Sequence, residues 1–269
     1  MTGDFHGARA RRLCGGALAL LLAAGAATMG SATIGTALAD EIHGYGPGGP
    51  TPAMREVAAA FEAETGHRVA IVAGPAGRWM EQARADADFI YSGSENMMSA
   101  FVAAHGGLLA ETIEPLYLRP SAILVRKGNP KGIAGLKSLL EPGVGVMVVQ
   151  GAGQVGMWED AVGRLRDIDR LRAFRDNIVF EAPNSGVARM HWLETPAVDA
   201  WLIWNHWQID NPELADLVPV EPELAIYRDT GVGLTEQGAG KAAARDFVAF
   251  LTSPKAREIF AAHGWQERF

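Results

Sequence analysis

A two-lobed α/β fold, each lobe a mostly parallel sheet flanked by helices, is what the order of apolar runs predicts. Three strand-loop-helix units follow one another between residues 42 and 105. A second set runs from 144 to 204, and two long strands, at 116–125 and near 224–234, join the sets. Strands that alternate with helical patterns pair in parallel. Two joining strands imply a crossover hinge, with one lobe at 40–120 plus 226–269 and the other at 121–225.

The elements follow in chain order. A strand at 42–46 leads through Gly46-Pro47-Gly48-Gly49-Pro50 into a helix with Thr51 as N-cap and Pro52 in its first turn. Met54, Val57, Ala58 and Phe61 share one face of that helix, and Gly66 stops it. The next strand is 69–73, followed by the loop 74–77 and a helix from Arg78 to 85. A strand at 87–91 runs into Ser92-Gly93-Ser94, which caps a helix at 95–105 that Gly106 ends. The apolar strand 116–125 is interrupted by Arg119-Pro120, and Gly128-Asn129-Pro130 turns the chain. The second set reads as strand 144–149, helices from about 154 to 165 and from 169 to 175, strand 178–180, helix 185–193 and strand 198–204. The strand near 224–234 carries Arg228, and two helices with Ser253-Pro254 between them close the chain.

Of the 269 residues, 48% are hydrophobic and 20% charged, a globular composition. Lys plus Arg number 24 against 31 acids, a net charge of -7 that excludes a nucleic-acid partner read through a basic face. Arg9, Arg11 and Arg12, the apolar run 15–27 and Ala37-Leu38-Ala39 read as a secretory signal peptide at 1–39. The apolar run is too short for a membrane anchor. Removal leaves 21 basic and 30 acidic residues, a charge of -9, and takes away the single cysteine, Cys14. The exported, periplasmic remainder must then be held by core burial, without disulfides or thiolate metal sites.

Four loops, at 46–51, 74–78, 92–95 and 150–154, lie where strands end and helices begin, and in an open parallel sheet such loops line one crevice. Helix starts offer free N–H groups and a positive dipole end, so glycine-rich entries suit an anion. Ser92, Ser94 and Thr51 add hydroxyls, and Arg78 and Arg119 add charge. Each has a purely structural alternative: turn geometry for the glycines, capping for the hydroxyls. Arg78 in a first helical turn opposes the dipole preference. Arg119 in an apolar strand needs a partner, either an acid such as Asp160 or a ligand.

Gly151-Ala152-Gly153-Gln154-Val155-Gly156 is a literal G-x-G-x-x-G, with Glu181 where a dinucleotide fold places its ribose-binding acid. It stands mid-chain after a complete strand-helix set, which favours another anion-cradling turn. An exported dinucleotide-dependent oxidoreductase is the alternative. Trp201, Trp204 and Trp207 surround Asn205 and His206, as a pocket wall or as core. Asn184-Ser185 is a cap or a contact. The histidines lack metal spacing, and neither a G-x-S-x-G nor a P-loop is present. No catalytic residue, metal site or cofactor is expected, so the chain reads as a binder and not an enzyme.

The runs Tyr45-Gly46-Pro47-Gly48-Gly49-Pro50, 91–98 (YSGSENMM), 118–125 (LRPSAILV), 150–156 (QGAGQVG) and Trp201-Leu202-Ile203-Trp204-Asn205 resemble the accessory colonization factor AcfC family across residues 41–266. That family is similar to periplasmic molybdate- and sulfate-type solute-binding proteins. The resemblance implies a type II periplasmic-binding fold that closes on a small anion. It places Gly48 and Gly49 in the first ligand turn and Pro75 to Arg78 in the second. Gly151 to Gln154, including Gly153, with Asn184, Trp204 and Asn205, supply contacts from the second lobe. Molybdate binders present serine hydroxyls in the first two turns, whereas this chain has Gly48-Gly49 and Pro75-Ala76, which counts against molybdate; the added arginines and tryptophans fit a sulfate-like oxyanion or small organic acid better. The expected partners are that ligand and an ABC transporter permease or chemoreceptor, with the receptor itself a monomer.

Overall fold

The computed structural model describes residues 39–151 and 153–267. Residues 1–38 of the expected signal peptide, Cys14 among them, lie outside the described residues.

β1 (Glu41–Gly46) leads into α1 (Thr51–Thr65), and β2 (Arg68–Ala73) follows. A single 3-10 turn at Ala76–Arg78 precedes α2 (Met80–Asp86), then β3 (Phe89–Tyr91) and α3 (Glu95–His105). The 12-residue β4 (Glu114–Val125) comes next. The second set is β5 (Val146–Val149), α4 (Met157–Gly163), α5 (Ile168–Asp176), β6 (Ile178–Ala182), α6 (Ser185–Glu194), β7 (Ala200–Trp204) and α7 (His206–Ile209). β8 (Asp216–Pro219), β9 (Tyr227–Leu234), α8 (Glu236–Gly240), α9 (Ala242–Phe250) and α10 (Pro254–Ala262) complete it.

The strand order is β2-β1-β3-β9-β4-β7-β5-β6, with β8 also on β4. The outer strands pair in parallel, β2-β1-β3 on one side and β7-β5-β6 on the other, whereas the pairs of β9 and β4 are antiparallel. β4 changes partner partway along: Glu114 to Pro120 face β9, and Ser121 to Val125 face β7 and β8. Arg119-Pro120 therefore does not interrupt the strand as the sequence suggests. Proline lacks an N–H for a ladder bond, and here it sits where the ladder is handed over.

Two apolar cores follow the same division. One gathers Ile123, Leu136, Met147, Trp158, Phe174, Trp192 and Trp201. The other gathers Ile42, Met54, Phe61, Phe89, Phe247 and Phe260, with a satellite around Tyr45, Trp79 and Phe101. All four residues of β5 and all five of β7 are buried, as parallel strands covered on both faces require.

Local chemistry sets most helix ends. Gly66 and Gly106 stop α1 and α3 in the left-handed region, at φ 77° and 81°, where a Cβ would be strained. Ser94 Oγ accepts from Met97 N–H to cap α3. Three expected starts differ. Thr51 is inside α1, not its N-cap; its hydroxyl donates to Pro47 O at 2.9 Å and lies 2.8 Å from Tyr91 Oη. Arg78 ends the 3-10 turn and does not open a helix, so the dipole argument for it falls away. α4 starts at Met157, since Gly156 takes φ 72° and residues 153–156 form turns.

Candidate functional site

Arg119 is 3% exposed, on the β4 segment just before the ladder changes hands. Its Nη2 donates to Gly93 O at 2.5 Å and its Nη1 to Asp229 O at 3.4 Å. Its Cζ lies 4.7 Å from the ring centres of both Trp204 and Trp265, so the guanidinium is held by indoles rather than by a carboxylate. Asp160, the acid named from sequence, faces Arg228 Nη2 at 3.3 Å instead. Burial drives the Arg119 pKa down to about 9, against the opposing pull of Asp229 and with a further push from Arg228. At neutral pH the group still carries its charge.

The loops converge here. A Cβ on Gly93 would stand 3.4 Å from Pro47 Cγ and 3.5 Å from Arg119 Nη2. One on Gly153 would stand 3.7 Å from both Arg119 Nη2 and Gly93 O. One on Gly49 would stand 3.3 Å from the His206 ring. Gly74 N–H donates to Gly46 O at 3.0 Å, which joins the 74–78 loop to the first turn. A cavity of about 180 Å³ opens beside the cluster, lined by Ser94, Glu95, Asn96, Val155, Arg228 and Asp229.

The residues singled out from sequence fall into three groups. Arg119, Gly153 and Trp204 meet directly, with Ser92 and Ser94 flanking Gly93 and Gly49 against His206. Asn205 stands beside them, its amide donating to Gly264 O at 2.7 Å. Gln154 and Asn184 form a neighbouring pair of loops: Gln154 Nε2 donates to Ser185 Oγ at 3.1 Å, and Asn184 Oδ1 caps α6 through Val187 N–H. Gly48 and Arg78 are exposed, and among the described residues the Arg78 side chain holds no hydrogen bond or ion pair, although its backbone N–H donates to Pro75 O at 2.9 Å.

The helix-start amides are less free than the sequence suggests. At α3, Glu95 N–H is taken by Asp229 Oδ1 at 2.8 Å and Met97 N–H by Ser94. At the second lobe's α6, Asn184 takes one more. Free hydrogen-bonding capacity sits instead around Arg119. Arg119 Nε, Trp204 Nε1, Trp265 Nε1, Asn205 Oδ1 and His206 Nε2 are all buried and without a partner among the described residues. Buried polar groups are normally paired, which makes these five atoms a candidate site for a polar ligand; Trp158 Nε1, Glu159 Oε2, Trp201 Nε1 and Trp207 Nε1 are unpaired as well among the described residues.

His206 and Trp265 were not singled out as contacts. Trp265 stacks on His206 with ring centres 5.4 Å apart at 13°. Burial holds the His206 pKa down at about 4; the nearby Asp210 carboxylate opposes this and the Arg119 charge adds to it. The ring is neutral at physiological pH. The G-x-G-x-x-G turn has a packing explanation, since a Cβ on Gly151 would meet Pro183 O at 3.0 Å and Gly153 abuts Gly93 and Arg119.

No curated protein matches the sequence. Residues 42–266 match the family described as bacterial extracellular solute-binding protein. Among solved structures, PEB3 with L-phospholactate bound is 38% identical, covering 84% of this chain and 100% of that one at a TM-score of 0.80. PEB3 from Campylobacter jejuni is 37% identical with the same coverage and a TM-score of 0.79. The periplasmic molybdate-binding protein of Azotobacter vinelandii covers 85% of this chain and 100% of its own at 19% identity and a TM-score of 0.64, a likeness of fold. That fold is the two-lobed type II periplasmic-binding fold. The comparisons lend the dinucleotide alternative no support. The chain belongs to the bacterial extracellular solute-binding protein family.

Proposed function

We propose that this protein is an exported receptor that captures a small anion between two lobes, 40–120 plus 226–269 and 121–225, and presents it to an ABC transporter or a chemoreceptor. The lobe division is supported by the two apolar cores and by the change of β4 partners between Pro120 and Ser121. The observation that carries the anion reading is Arg119: a buried guanidinium with no carboxylate on it among the described residues, close to unpaired polar atoms. An anion there neutralises a charge the protein otherwise leaves uncompensated. The 38% identical PEB3 holds L-phospholactate, which extends the candidate ligands from sulfate-like oxyanions and organic acids to small phosphorylated acids.

Only a closed arrangement supplies groups from Gly93 and Gly153 together, so ligand shifts the population toward closure. Titration calorimetry and thermal shift with L-phospholactate, sulfate, molybdate and small carboxylates test the reading. It requires at least one to bind the wild type and to lose affinity tenfold or more in Arg119→Met. If none binds, or if the variant binds as well as the wild type, the proposal fails.

A further inference from the structure

His206 opens α7 immediately after Trp204-Asn205, and it is 2% exposed. Its ring is parallel to Trp265, the indole that also meets Arg119. Nε2 has no hydrogen-bond partner among the described residues, and a Cβ on Gly49 would stand 3.4 Å from it, so this nitrogen looks onto the Gly48-Gly49 turn with glycine leaving the space open. The other ring nitrogen, Nδ1, faces Asp210 Oδ2 at 3.7 Å. Asp210 is in turn bonded to His263 Nδ1, and His263 Nε2 meets Glu56 Oε2 at 3.0 Å.

A carboxylate beside Nδ1 keeps the ring's single proton on that side. Nε2 is then a lone-pair acceptor, the opposite of the donors on Arg119, Trp204 and Trp265. Burial and the nearby Arg119 charge prevent a second proton from converting it to a donor. The charged groups around the ring are Asp210 on its Nδ1 side and Arg119 across Trp265, with His263 and Glu56 behind Asp210.

Resting on the anion-receptor reading, we propose that His206 is a specificity-determining residue: its Nε2 accepts a hydrogen bond from an O–H of the bound anion, so the site selects an oxyanion that still carries a proton. Sulfate, molybdate and carboxylates have no such proton at neutral pH. A phosphomonoester regains one near its second pKa of about 6. A buried acceptor rejects a ligand that cannot donate to it, because the acceptor then stays desolvated and unpaired.

The test is calorimetry with L-phospholactate and with the sulfate ester of L-lactate, the same skeleton without a titratable O–H, between pH 8 and pH 6. On wild-type protein the phospholactate affinity is expected to rise about tenfold per pH unit on the way down, levelling near the ester's second pKa, while the sulfate ester stays weaker. His263 is a second titratable group near the ring; burial lowers its pKa, but the hydrogen bonds and charges of Asp210 and Glu56 outweigh this and raise it overall. Its titration acts on both esters alike, so the difference between their profiles isolates the ligand proton. His206→Phe keeps a ring on Trp265 and removes the acceptor; the two profiles should then run parallel. Parallel profiles on the wild type overturn the role of His206 without any need for the variant to fold, and so does a preference that survives in His206→Phe. If neither ester binds wild-type protein at any pH, and sulfate, molybdate and carboxylates are also inert, the receptor reading itself has failed and this proposal with it.

Discussion

Arg119 and Trp265, far apart in the chain, meet with the guanidinium carbon 4.7 Å from the indole centre. Trp204 approaches the same guanidinium at the same distance. A cation held between two ring systems, accepted by two carbonyls among the described residues, keeps its geometry without giving up its charge.

Arg119→Met therefore separates binding from folding. The substitution retains a long apolar side chain between the indoles and removes a buried charge, so stability without ligand should stay within about 2 kcal/mol of wild type, the lost hydrogen bonds to Gly93 O and Asp229 O offsetting the desolvation relieved. Ligand affinity should fall tenfold or more, about 1.4 kcal/mol. Urea denaturation and calorimetry on the same preparation check both halves.

The glycines of the 151–156 turn should divide in the same way. Gly151→Ala places a Cβ 3.0 Å from Pro183 O, a backbone atom that must move, and should cost about 1 kcal/mol or more of stability. Gly153→Ala meets Met97 Cε at 3.6 Å and Arg119 Nη2 at 3.7 Å, ordinary contact distances. Its stability should change by less than about 0.5 kcal/mol, while ligand affinity drops several-fold because the methyl group occupies the approach between the two loops. Equal stability losses in the two variants would contradict this division.

Stability should depend on acid through His206. In the unfolded chain the imidazole takes up a proton at its ordinary pKa of 6.5, but in the folded protein it stays neutral down to about 4. Between those values the unfolded state binds the extra proton. The stability that the neutral ring contributes is thus present above pH 6.5 and is lost as pH falls toward 4, by at most about 3 kcal/mol. His263 has the opposite sign: its folded pKa is raised, so its contribution is present below 6.5 and lost as pH rises through the folded value. Chemical denaturation from pH 4 to 8 should show a flatter acid limb in His206→Phe and a flatter alkaline limb in His263→Gln.

What could be read from sequence was what short-range chemistry decides. Gly66, Gly106 and Ser94 mark helix ends through their own φ and hydroxyl, and they do so in the fold. Arg119 stood out because a charge in an apolar strand must be accounted for, and Trp204 because it is one of three tryptophans clustered around Asn205 and His206. The start of α4 was misplaced since an apolar rhythm continues through turn residues whose conformation is set by Pro183 and Gly93, neighbours only in space. Trp265 and His206 were missed as contacts for the same reason. Their bearing on the site comes from packing between segments distant in the chain, and neither sits in a motif. Asp160, one of the partners considered for Arg119, meets Arg228 instead, because the two arginines face each other across β4 and β9, a register that no local pattern encodes.

Arg78 offers the sharpest test of whether the 74–78 turn takes part in closure. Its side chain is exposed and free of hydrogen bonds and ion pairs among the described residues, so nothing in the fold needs it. Arg78→Ala should leave the melting temperature of the ligand-free protein within the range of a neutral surface change, about 0.5 kcal/mol. Should the turn fold over the anion, the same substitution removes a charge-assisted contact and lowers affinity about tenfold, with a weaker salt dependence of binding because one charge no longer faces the ligand. Lys at the same position would restore the charge but not the planar fork, and should recover the salt dependence more than the affinity. Unchanged affinity in Arg78→Ala would remove this turn from the site and leave recognition to Arg119 and the groups around it.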